Sequence, residues 1–167
     1  MISRAAHFFF AAAFFWLCAG TPLQAAEPCG SVPAVSSSQD AALLRFAQKQ
    51  GIAFPEAFRN IANALHLTGR LPACYLTKDG AQDKGWHPGL DLWRVAPGAA
   101  IGGDRFGNRE RLLPSRWNGR YIEADLDYLG RTRGSHRLIF VRDMKEEWLI
   151  FVTTDHYRSF TRFEPSP

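Results

Sequence analysis

A chain of 167 residues has room for one domain and a targeting segment, and for little else. Its 20 Lys and Arg against 16 Asp and Glu give a formal charge of +4, a modest balance that permits an anionic partner without demanding one. The apolar run from Phe8 to Ala19 falls short of the roughly 20 residues that span a bilayer, which argues against a membrane-embedded chain.

Residues 1–26 read as a cleavable signal peptide. Arg4 supplies the positive start, Phe8 to Cys18 the apolar core, Gly20-Thr21-Pro22 the break, and Leu23-Gln24-Ala25-Ala26 the small residues for cleavage. An uncleaved anchor is the alternative. Cys18 follows Phe15-Trp16-Leu17, which does not resemble a lipoprotein box. The mature protein is therefore expected to be secreted, extracellular or periplasmic, with no membrane attachment. It keeps Cys29 and Cys74, an even number that in an exported protein favours a disulfide over a metal site or a catalytic thiol. Such a bridge closes a loop worth about 3–4 kcal/mol in the chain-entropy model. Two free thiols are the alternative.

Residues 27–54 read as a Pro- and Ser-rich arm followed by an extra helix, with Leu43, Leu44, Phe46 and Ala47 on its apolar side and Gly51 at its end. Residues 55–167 form the main domain. Phe58, Ile61, Ala62 and Leu65 repeat at i, i+3, i+4, i+7, and Pro55 and Gly69 suit the ends of that helix. Thr77 is a plausible N-cap for a short helix from Lys78 to Asp83. Gly85 to Gly107 is rich in Gly and Pro and reads as loop. The period then changes to 2. Tyr121, Glu123, Asp125 and Asp127 alternate with Ile122, Ala124 and Leu126, and strands follow over 137–142, 148–153 and 157–163. Helices first and strands afterwards imply an α+β fold: an antiparallel sheet covered by helices on one face, its other face open to solvent with Glu123 projecting onto it.

That half of the chain gathers a carboxylate (Glu123), two arginines (Arg133, Arg137) and a histidine after a strand (His156). Cleavage of RNA needs a base for the 2′-hydroxyl proton, an acid for the leaving 5′-oxygen and cations for the charge that grows on phosphorus. These residue types fill those roles without a metal. Arg105, Arg109, Arg111, Arg116, Arg120, Arg131, Arg133 and Arg137 crowd one third of the chain, and an arginine fork suits phosphate. Taken alone, a structural Glu–Arg salt bridge, a turn histidine and a solvated basic face explain the same residues. The trio Glu123, Asp125, Asp127 equally suits a divalent cation and a metal-dependent nuclease.

A series of blocks adds a resemblance. Leu71-Pro-Ala-Cys-Tyr-Leu-Thr-Lys78, Gly85-Trp86, Val95-Ala-Pro-Gly98, Ile101-Gly-Gly-Asp-Arg-Phe-Gly-Asn-Arg-Glu110, Glu123-Ala-Asp125 and Thr153-Thr-Asp-His-Tyr157 are similar, in order and spacing, to the barnase-like microbial ribonucleases. The likeness spans about residues 55 to 164; the Cys29 arm and the helix near 40–50 lie outside it. It implies the microbial ribonuclease fold and a metal- and cofactor-independent endoribonuclease that cuts after guanosine through a 2′,3′-cyclic phosphate. It makes Glu123 the base, His156 the acid, Arg133 and Arg137 the phosphate clamp and Lys78 a further cation. Phe106, Gly107, Asn108, Arg109 and Glu110 become the guanine loop, with Tyr157 beside it. It further implies a monomer and a barstar-like intracellular inhibitor. The chain departs from the family at Gly107 (a serine there), Thr132 (an aromatic), His136 (an acid) and the longer hairpin over 141–147. A non-catalytic exported RNA- or inhibitor-binding protein of the same fold is the rival reading.

Overall fold

The computed structural model describes residues 28–31, 36–145 and 147–165; the expected signal peptide lies outside them. Helix α1 (Asp40–Lys49) buries Leu43 and Ala47, and α2 (Pro55–Thr68) buries Phe58, Ile61, Ala62 and Leu65, the stripe its periodicity predicts. Pro55 occupies the first turn of α2, where its missing N–H costs nothing. Gly69 ends the helix in the left-handed region (φ 72°), its N–H donating to Leu65 O. Thr77 caps α3 (Lys78–Gln82) by accepting from Gly80 N.

Strands β1 (Tyr75–Leu76), β2 (Ala100–Arg105), β3 (Ile122–Asp125), β4 (Arg137–Arg142), β5 (Trp148–Thr153) and β6 (Thr161–Arg162) form one sheet in sequence order. The fold is α+β, as expected. The sheet is mixed, however, because β1 runs parallel to β2; every other pair is antiparallel. β2 also occupies part of the stretch read as loop. Its glycines disguise it and are required: a Cβ on Gly102 would lie 2.6 Å from Tyr75 and 2.9 Å from the Ala124 side chain. The register breaks between Gly102 and Asp104, beside Gly103 at φ 99°.

α1 and α2 cover one face, where Phe58, Ile61 and Leu65 meet Leu126, Leu138, Ile150 and Val152. The other face is not open, as the strand pattern suggested. Leu113 and Trp117, from the loop between β2 and β3, close a second core over Tyr121, Ile139, Val141 and Phe151. Glu123 is accordingly 6 % exposed. A third core unites Cys29, Ala81, Trp86, Leu92 and Ile101. Cys29 is bridged to Cys74, at the threshold of β1, so the arm is tied to the domain.

The alternation over Tyr121–Asp127 holds only to Asp125. Asp127 has φ 58° and turns away; its carboxylate accepts from Ala53 N (3.0 Å) and Phe54 N (3.1 Å) and pairs with His136 Nδ1 (2.6 Å). The strand expected over 157–163 shrinks to Thr161–Arg162, because a side-chain-braced turn takes up residues 153–159.

Candidate active site

Strand β3 carries Glu123 on the face away from α1 and α2. Its Oε1 accepts from Lys78 Nζ (2.6 Å) and its Oε2 from the Tyr157 hydroxyl (2.8 Å). Each donor is delivered by its own local device. Lys78 opens the Thr77-capped α3, and its backbone N–H donates to Asp104 on β2 (3.0 Å). Tyr157 N–H donates to Thr153 Oγ1 at the end of β5 (3.0 Å), while its ring stacks on Phe106 at 5.3 Å. Burial, with the Glu123 charge beside it, pushes the Tyr157 hydroxyl up to about 12, so it stays protonated and donates.

Two residues along β3, Asp125 is 2 % exposed and organises the arginines. Arg133 grips it bidentately, Nε to Oδ2 at 2.7 Å and Nη2 to Oδ1 at 2.6 Å. Burial alone would lower Arg133, but the Asp125 bonds and charge outweigh it and hold the guanidinium above its usual value. Arg137 Nε stands 3.0 Å from Asp125 Oδ1, close enough for an ion pair but not aligned as a hydrogen bond. Its Nη1 donates to Gly134 O (2.8 Å) and His136 O (2.7 Å).

His156 is exposed and sits in a strained turn, with φ 59° followed by 69° at Tyr157. Non-glycine residues hold that conformation at a cost of about 1–3 kcal/mol each, so the surroundings must impose it. Asp155 does so. Its carboxylate accepts from Ser159 Oγ (2.6 Å), Ser159 N (3.0 Å), Thr153 Oγ1 (2.8 Å) and Arg158 N (3.0 Å). These bonds, those from Ser159 foremost, lower its pKa to about 2.

Two clefts meet at His156, which lines both. One, of about 630 Å³, is lined by Lys78, Trp86, Leu90, Arg133 and Arg137 among others. The second, of about 810 Å³, is lined by Phe106 to Glu110, Glu123, Tyr157 and Arg158 among others. The residues that the resemblance assigned to catalysis and to the guanine loop thus each line one or both clefts, whereas Asp125, Asp127, Arg111, Arg116, Arg120 and Arg131 line neither. Asn108 differs in kind from its neighbours: its side chain is buried and spent within the protein, donating to Leu113 O and Asn118 Oδ1 and accepting from Leu113 N. It shapes the 106–110 loop and leaves its side-chain amide nothing to offer a ligand. Glu110 is exposed at the cleft.

The acidic trio disperses. Glu123 goes to Lys78 and Tyr157, Asp125 to the arginines, and Asp127 to His136 and the α2 start. Among the described residues no group of three His, Cys, Asp or Glu is placed to hold a metal. Sequence reasoning missed Asp104, the specific service of Asp125, and Asp155. For Asp155 a signal existed, since an Asp just after a strand and four residues before a Ser is the usual material of a side-chain-braced turn.

Residues 58–164 match the ribonuclease family. The chain is 43 % identical over 112 residues to a ribonuclease of Bacillus intermedius, covering 66 % of this chain and 67 % of the relative. A ribonuclease of Bacillus pumilus gives the same figures. One from Heyndrickxia coagulans is 43 % identical over 106 residues, 63 % of this chain and 94 % of the relative.

Proposed function

The chain belongs to the ribonuclease family, and from that premise we propose that it is an exported endoribonuclease cleaving single-stranded RNA after guanosine by acid–base transphosphorylation. The observation that carries the reading is the placement of Glu123, held by Lys78 and Tyr157, beside a cleft whose rim is His156. Glu123 takes the proton from the 2′-hydroxyl as that oxygen attacks phosphorus. The P–O5′ bond breaks, and His156, protonated, gives its proton to the departing 5′-oxygen. A 2′,3′-cyclic phosphate remains, which water opens in a slower second step to the 3′-phosphate. Arg133, Arg137 and Lys78 supply the positive charge that the five-coordinate phosphorus needs, on side chains already oriented by Asp125 and Glu123. Binding alone has no use for a paired base and acid, which disfavours the non-catalytic reading.

Guanine is read by the 106–110 loop. Its N1–H and N2–H₂ can donate to Glu110, and loop amides can meet O6. Adenine would set its N1 lone pair against the carboxylate, a mismatch of about 1–3 kcal/mol. Export rests on residues 1–26 and on the Cys29–Cys74 bridge, a bond that persists in oxidising compartments. An enzyme of this kind endangers its maker before export, and an acidic, barstar-like intracellular inhibitor would contain it. The deciding experiment is RNA digestion in excess EDTA with product analysis. Undiminished cleavage, 2′,3′-cyclic phosphate ends and intact DNA are expected; full dependence on Mg²⁺ or Ca²⁺ would overturn the mechanism.

A further inference from the structure

Residues 105–120 carry five arginines (Arg105, Arg109, Arg111, Arg116, Arg120) and a single acid, Glu110. All five are exposed, as is Arg158 across the cleft. Among the described residues none of Arg109, Arg111, Arg116 and Arg158 makes an ion pair with an acid. Arg105, Arg109 and Arg158 line the cleft that Glu110 and Glu123 also line, and Arg111, Arg116 and Arg120 follow along the same exposed stretch, where cations outnumber acids five to one.

The loops that bear them are fixed. Asn108 ties the 106–112 turn to Leu113 and Asn118, the Tyr121 hydroxyl donates to Pro114 O (2.9 Å), and Arg105 Nη1 donates to Gly119 O. Arg116 lies over the buried Trp117 ring, its Cζ 4.1 Å from the centroid. Stacking uses the face of the guanidinium and leaves its edge N–H groups for an oxyanion.

We propose that this ridge is a track for the backbone phosphates of RNA on the 5′ side of the cleaved guanosine, with Arg111 and Arg116 as its outer contacts. The proposal rests on the cleavage reading given above. Continuity supports it: Arg105, Arg109 and Arg158 line the cleft that holds Glu123, and Arg111 follows directly on Glu110, the cleft residue before it in the chain. Direction follows from the chemistry. The leaving 5′-oxygen faces His156, beyond which lies the Lys78–Arg133–Arg137 cleft, so the 3′ portion of the strand departs that way and the 5′ portion is left the arginine side. An anionic membrane would also attract such a ridge. It would need apolar side chains beside the charge, and among residues 105–120 the exposed large apolar side chain is Leu112 alone.

The test compares GpU with oligouridines containing one G, extended by four uridines on the 5′ or the 3′ side. Wild type is set against Arg111→Gln/Arg116→Gln and the charge-keeping Arg111→Lys/Arg116→Lys. In wild type, 5′ extension should raise kcat/KM, and the gain should fall with salt. Two phosphates held by two arginines correspond to a log–log slope of about 1.4, or about a sevenfold loss of the gain between 50 and 200 mM salt. The Gln pair should lose that gain and its salt slope while cleaving GpU at the wild-type rate; the Lys pair should keep most of both. A 5′ gain equal in wild type and the Gln pair overturns the track, as does a gain found only on 3′ extension. Cosedimentation with phosphatidylglycerol vesicles that the Gln pair loses, with the RNA gain unchanged, reassigns the ridge to a lipid surface. Failure of wild type to cleave GpU at all would instead refute the cleavage reading.

Discussion

Asp125→Asn is the substitution whose consequences the structure specifies most fully. Asp125 Oδ2 accepts from Arg133 Nε, while Oδ1 faces both Arg133 Nη2 and Arg137 Nε. Asn keeps one acceptor, which will turn to the Oδ1 position and its two donors. The new NH₂ group then meets Arg133 Nε donor to donor. The charge is lost as well, and Arg137, 3 % exposed, is left without the carboxylate it pairs with. Removing one partner of such a buried pair typically costs about 3–5 kcal/mol, a large share of the roughly 5–15 kcal/mol that holds a domain folded. For a folded body of about 130 residues the unfolding entropy is near 270 cal/mol/K, so the melting temperature should drop by about 11–18 °C. Urea unfolding with the disulfide intact should show the midpoint falling and m unchanged. RNA cleavage, assayed well below the new melting temperature, should fall too, because both cations lose their posture. A stability loss under about 1 kcal/mol would show that Asp125 is not the charge on which the arginines depend.

The acid–base assignment needs a base and an acid in the same step, so replacing either Glu123 or His156 should by itself slow cleavage. His156→Gln should cut the rate about 10²–10⁴-fold with the fold intact by circular dichroism; an unchanged rate would strip His156 of the role. Glu110→Gln should reduce the preference for GpN over ApN dinucleotides, which in the wild type corresponds to about 5- to 150-fold; a constant ratio would remove Glu110 as the reader. Asp155 has a lowered pKa in the folded state, so its contribution to stability is complete above the ordinary carboxylate value of 3.8 and is lost as pH falls through about 2. Asp155→Asn should therefore be less stable at neutral pH and lose less than wild type on acidification over that window. It should also lower kcat by releasing the His156 turn. Parallel acid-unfolding curves for the two proteins would contradict this.

Much of the molecule is written in local pattern. The α2 stripe Phe58, Ile61, Ala62, Leu65, the Pro55 and Gly69 ends, the Thr77 cap and the β4 and β5 runs each state their structure within a dozen residues, because 3.6- and 2-residue periods and caps are short-range physics. The block resemblance added which side chains to watch. What stayed hidden depends on neighbours far along the chain. Gly102 is a strand residue because Tyr75 and Ala124 press on it, a fact no propensity encodes. The acidic alternation suggested one exposed row, yet three carboxylates find three different sets of partners. Alternation fixes the side of a strand and says nothing of what packs there.

The sequence by itself therefore determined the class of fold, the helices, the principal strands and the residue types that could handle an RNA phosphate. Only the tertiary structure decided that Glu123 is held by Lys78, 45 residues before it, and by Tyr157, 34 residues after it. It alone spent the side chain of Asn108 on the loop, and it alone put Asp125 between two arginines. The reason is one of range: backbone preference acts over a turn, whereas hydrogen bonds and ion pairs join whatever the packed core brings within about 3 Å.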